Sequence, residues 1–68
     1  MREKAVTRLL TEREAALLLA MSPKTLEAWR REGWANRPPC YRVGGVIRYS
    51  LEDLRKWLDA NRMPRRIA

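Results

Sequence analysis

Histidine is absent from the 68 residues, and Cys40 is the single cysteine. A disulfide within the chain is therefore excluded, and a metal site built from protein ligands alone lacks its usual donors. A catalytic thiol is disfavoured too, because Cys40 has no imidazole to take its proton. Cys40 is expected to serve as a small buried hydrophobe, and such cysteine usage suits a reducing cytoplasm. Long apolar runs are also missing. The longest, residues 15–21, is far too short to cross a bilayer, and the N-terminus has no apolar segment of the kind a signal peptide needs. A chain of this length makes one domain with a modest core and little space for an enclosed substrate pocket. An enzyme is not expected, nor a cofactor.

Acidic residues are few. Eight Asp and Glu face fifteen Lys and Arg, for a net charge of +7. That balance implies an acidic partner, either nucleic acid or an anionic surface. Position says more than the sum. Residues 33–49 carry three Arg and no acid, whereas residues 11–21 and 50–61 are each net acidic. Both ends are basic. Solubility alone does not require this segregation.

The stretch 22–32, SPKTLEAWRRE, is the one the rest of the chain is built to present. Ser22 can cap a helix and Pro23 fits its first position, where a missing N–H costs nothing. Leu26 and Trp29 face one way, toward a core. Lys24, Thr25, Glu27, Ala28, Arg30 and Arg31 remain on or beside the other faces. Gly33 is a natural stop, since it tolerates the left-handed conformation that closes helices. Such a helix suits a DNA major groove, although an ordinary solvated surface helix has the same pattern.

Upstream, residues 1–8 read as a loose basic tail, and Leu9 and Leu10 are expected to tuck under a first helix. Thr11 and Glu14 have capping-box spacing, so that helix starts at Thr11 and runs to about Ala20. Ala15, Leu18 and Leu19 are expected on its buried face. Leu17 falls off the stripe; an exposed Leu is usually of no consequence, but it is the candidate for a protein–protein contact. Residues 20–23 then form a tight break, giving a helix-turn-helix. Ala20 or Met21 must take the turn conformation that Gly often supplies.

Residues 33–39 read as a loop in which Trp34 caps the core and Pro38 and Pro39 stiffen the entry to the next segment. The three Trp and the leucines are expected to supply most of the core. Residues 40–49, CYRVGGVIRY, read as a β-hairpin around Gly44 and Gly45. A two-residue turn would mix apolar and charged groups on each face. A three-residue turn, 44–46, pairs Val43 with Ile47 and Tyr41 with Tyr49, and separates them from Arg42 and Arg48. The second register is therefore expected, with both Arg side chains pointing outward toward phosphate. Ser50 caps a last helix with Glu52 and Asp53 in its first turn. Leu51, Leu54, Trp57 and Leu58 form its core stripe. This helix is net acidic and is expected to brace the domain away from DNA. Residues 63–68 form a second basic tail, leaving 9–62 as the domain.

Helix, turn, helix, basic hairpin and bracing helix make a mostly α winged helix-turn-helix with a small β-hairpin. LLTEREAALLLAMSPKTLEAWRREG at 9–33 and PPCYRVGGVIRYSLEDLRKWL at 38–58 carry a closer likeness. The chain resembles the excisionase and AlpA-type branch of MerR-like DNA-binding domains across most of its length. The resemblance implies sequence-specific binding to double-stranded DNA in prophages and integrative elements. Members act as excisionases, which bend DNA and turn a site-specific integrase toward excision, or as small transcription regulators. Carried over by position, Ser22, Lys24, Thr25, Trp29 and Arg30 belong to the recognition helix, and Arg37, Arg42, Gly44, Gly45 and Arg48 to the wing. Glu27 and Ala28 depart from a pattern that often carries basic or polar groups there. The chain ends after the bracing helix, where MerR-type regulators continue into a dimerising helix and an effector-sensing region. No small-molecule effector is therefore expected. One reading helix covers few base pairs, so self-association on DNA or an integrase partner is expected to supply specificity.

Overall fold

Thr11 starts the first helix as its spacing predicts. In the computed structural model, which describes residues 8–63, the Thr11 hydroxyl accepts from the Glu14 N–H and the Glu14 carboxylate accepts from the Thr11 N–H. Helix α1 spans Glu12–Leu18. Its inward stripe is Glu12, Ala15, Ala16 and Leu19, the i, i+3, i+4, i+7 pattern of one helical face. Ala15 and Ala16 are wholly buried, which lets the next helix cross closely. Leu18, expected inside, is half-exposed, because the stripe turns through the two Ala residues instead. Leu17 is 79% exposed on the far side.

Ala20 takes the left-handed turn conformation, with φ of 56°, in the place where Gly is common. Helix α2, Pro23–Glu32, comes next. The Ser22 hydroxyl accepts from the Lys24 N–H, Pro23 fills the first position, and Gly33 closes the helix at φ of 70°. Leu26 is wholly buried against the core.

The sheet has three antiparallel strands in the order β1-β3-β2: β1 Leu9–Leu10, β2 Tyr41–Val43 and β3 Val46–Ser50. Leu9 and Leu10 form an edge strand paired with Ser50 and Tyr49; Leu10 is buried with Ala15 and Ala16 of α1 as expected, whereas Leu9 is half-exposed. Two residues are too few for any period to show in the sequence.

The hairpin register differs from the expectation. Val43 pairs with Val46, Arg42 with Ile47 and Tyr41 with Arg48, around a two-residue turn. Gly44 and Gly45 both have positive φ, 57° and 87°, which is the requirement of a tight turn whose twist matches the strands. Turn geometry outweighs polarity here because the tip projects beyond the core. There Tyr41, Val43 and Val46 are about half-exposed and gain little from facing one way.

Helix α3, Leu51–Ala60, is capped by Ser50, whose hydroxyl accepts from the Asp53 N–H. Leu54 is wholly buried, but Leu58 is half-exposed. The core consists of Leu10, Ala15, Ala16, Leu26, Tyr49 and Leu54, with Cys40, Ile47 and Trp29 packed at its margin. The Trp residues are not its centre. They form a cluster at its edge, with Trp29 and Trp57 partly buried and Trp34 half-exposed, in which Trp29 meets Trp34 at 4.4 Å and Trp57 at 6.5 Å between ring centroids. An indole N–H needs a partner, which favours the edge of a core. The Trp57 N–H donates to the Asn36 carbonyl and so ties the 33–39 loop to α3.

Candidate nucleic-acid interface

Helical geometry divides α2 into two sides. Leu26 and Trp29 face the core. Lys24, Glu27, Ala28 and Arg31, again spaced i, i+3, i+4, i+7, line an open cleft on the opposite side together with Glu32. Thr25 is exposed on a flank, and Ser22 is exposed at the start but spends its hydroxyl on the cap. Arg31 reaches back one turn, where its Nη1 donates to Glu27 Oε2 at 3.4 Å.

Arg30, expected on the DNA face, lines the cleft toward the hairpin but has its guanidinium bonded to Glu12. Its Nε donates to Glu12 Oε2 at 2.7 Å and its Nη2 to Glu12 Oε1 at 3.1 Å. The Tyr49 hydroxyl donates to the same Oε2 at 2.7 Å. Glu12 therefore clamps α1, α2 and β3 at one point. Burial pushes its carboxyl upward, but hydrogen bonds from Arg30 and Tyr49 outweigh that and hold it below its usual range. Burial, then the hydrogen bond to Glu12, pushes the Tyr49 phenol well above its ordinary value. The bond to Glu12 raises the Arg30 guanidinium further. Arg30 is thus a strut of the helix-turn-helix. Trp29 is likewise committed to the aromatic cluster.

The wing residues separate by face. Opposed residues in an antiparallel pair share a face. Arg42 and Ile47 lie on the side toward the helices, and with Cys40, Arg30 and Arg31 they line a basic cleft between α2 and the hairpin. Arg48 lies on the other side, opposite Tyr41, and its Nη1 donates to the Ile47 carbonyl. The two Arg residues do not point outward together as expected, because the two-residue turn shifts the register by one. Arg37 is held by the loop, its Nη1 donating to the Trp34 carbonyl at 2.9 Å. Tyr41 donates to Asp53 Oδ2 at 2.7 Å, a bond that raises its phenol and fixes the hairpin to the start of α3.

Two adjoining clefts thus meet at Arg31: one holds Lys24, Glu27 and Ala28, and the other holds Arg30 and Arg42. Sequence reasoning undervalues Glu27 and Arg31. Their i, i+4 spacing is visible in the chain, but Arg30 competes for the same role until its distant partner is known. Among the described residues, no group of acids and Cys could hold a metal ion, and no helix is long and apolar enough to cross a membrane.

A capped helix-turn-helix flanked by a three-stranded sheet, two of whose strands form a basic hairpin, is a winged helix-turn-helix, a DNA-binding architecture. The family model of the helix-turn-helix domain matches residues 9–62, and the chain belongs to that family. It is a small DNA-binding protein of the excisionase and AlpA type. No curated protein matches the chain.

Proposed function

We propose that this protein is an excisionase: it binds repeated DNA sites cooperatively, bends them, and directs an integrase toward excision of a mobile element. The observation behind this reading is that α2 and the hairpin together line one basic cleft, and a single reading helix covers only a few base pairs. Several copies in tandem, or an integrase alongside, then supply the specificity that one copy lacks. Leu17, at 79% exposure, and half-exposed Leu18 have no core role and suit such a neighbour. In this role the protein works by binding alone, without catalysis, cofactor or small-molecule effector. The basic tails, of which residues 1–7 and 64–68 lie outside the described residues, add charge that suits phosphate.

A titration on DNA with one site and with three tandem sites tests this reading. Wild type is expected to bind the three-site DNA cooperatively, and Leu17→Ser to lose the cooperativity while keeping single-site affinity. Equal per-site affinity on both DNAs would favour an AlpA-type transcription regulator acting at single sites. Absence of binding to any DNA would leave a protein-interaction adaptor.

A further inference from the structure

We propose that Glu27 and Arg31 act as one base-reading unit, set for a guanine–cytosine pair in the major groove. The inference deepens the DNA-binding reading and rests on it. Arg31 and Glu27 lie on the open side of α2, with side chains 69% and 44% exposed, and neither is used by the core. Ala28 sits beside them, with only a methyl group to hold the helix away from base edges.

A carboxylate on the side of a helix that approaches a polyanion is unfavourable unless a donor waits there. Phosphates offer none. In the major groove the donors are the amino groups of cytosine and adenine. Glu27 also makes Arg31 a poorer phosphate ligand, because a phosphate reaching Arg31 must approach the carboxylate as well. The pair is better matched to a base edge. Arg31 presents a fork of donors for guanine O6 and N7, and Glu27 presents an acceptor for cytosine N4.

The spacing fits. Guanine O6 and cytosine N4 are hydrogen-bonded to each other, so they lie about 2.9 Å apart. Arg31 Nη1 and Glu27 Oε2 are 3.4 Å apart in the free protein. One donor and one acceptor at this separation match one acceptor and one donor at nearly the same separation. An adenine–thymine pair reverses the pattern: its central donor meets the Arg31 fork, and thymine O4 meets the Glu27 carboxylate.

The test is selection of binding sites from random DNA, followed by affinities for the selected site with each base pair changed in turn. Wild type is expected to prefer guanine–cytosine by about tenfold or more at one position assigned to this pair. Arg31→Ala should erase the preference there and leave the other positions unaltered. Glu27→Gln should weaken the same preference and tolerate thymine in place of cytosine, because an amide can donate. Neither residue has a core role, so neither change should lower the melting temperature appreciably. Uniform loss on all sequences for Arg31→Ala, with a salt slope lower by about one unit, would place Arg31 on phosphate and overturn the proposal. An unaltered preference in Glu27→Gln would overturn it as well. Failure of wild type to retain any DNA in the selection would overturn the DNA-binding reading itself, and this proposal with it.

Discussion

Glu12→Ala should lower the stability of the domain by about 2–4 kcal/mol. The substitution removes three hydrogen bonds at once, from Arg30 Nε, Arg30 Nη2 and the Tyr49 hydroxyl. Tyr49 is 1% exposed, so its hydroxyl is left without an acceptor in a place water reaches poorly. Arg30 loses its counter-charge where it is mostly covered. For a domain of this size each kcal/mol shifts the melting temperature by about 4–8 °C, so the loss should be plain in a thermal melt. An unchanged melting temperature would show that the clamp carries no stability.

The same clamp sets a pH dependence. The Glu12 carboxyl is held below its ordinary value of 4.5 in the folded protein. The unfolded chain therefore takes up its proton first as pH falls. The stabilisation is full above the ordinary carboxylate range and is lost as pH drops through it and below. Glu12→Gln should accordingly be less stable than wild type near neutrality, with the gap closing in acid. Tyr49 acts at the other end. Its phenol is raised, so the unfolded chain ionises first, and stability falls as pH climbs past the ordinary phenol value of 10.0. A gap between Glu12→Gln and wild type that stays constant down to strong acid would contradict the assignment of Glu12.

Leu26→Ala is the second large expected effect, at about 2–5 kcal/mol. Leu26 is wholly buried at the middle of α2, where it packs into the core with Leu10, Ala15, Ala16, Tyr49 and Leu54. Small domains are stable by only about 0.05–0.15 kcal/mol per residue, so such a loss is a large share of the stability of this one. Leu26→Ala should lower the denaturation midpoint sharply and weaken DNA binding to the extent that the domain unfolds. Leu17→Ala, in the same two-helix unit but 79% exposed, should stay within about 0.5 kcal/mol of wild type. Denaturant titration of the two variants checks both. Similar losses in the two would contradict the burial pattern.

Local signals are legible in the sequence and distant ones are not. Helix α2 can be placed to the residue, because Ser22, Pro23 and Gly33 each act within a turn of the end they mark. The capping box of Thr11 and Glu14 and the cap at Ser50 are legible for the same reason. The bond from Arg30 to Glu12 is not legible in the sequence, because the partner lies 18 residues away and only the crossing of α1 and α2 brings Glu12 to it. The hairpin register fails differently. Alternation of polarity predicts register where one face is buried, but this hairpin leaves the core at its tip and the two glycines decide the turn. Trp residues suggest a core by their size, yet their N–H groups and bulk suit its edge, and a smaller set built on Leu26, Leu54 and Tyr49 fills the interior.

The central claim is that one side of the molecule, from Lys24 through Arg31 to Arg42, lies against DNA while α3 stands away from it. Titrating the isotopically labelled protein with a duplex carrying its selected site, and tracking backbone amide resonances by NMR, tests this most directly. The account predicts large shifts at Lys24, Ala28, Arg31 and Arg42, and small ones at Lys56 and Asp59 on the outer side of α3. Shifts concentrated on α3, with α2 and the hairpin unaltered, would contradict it.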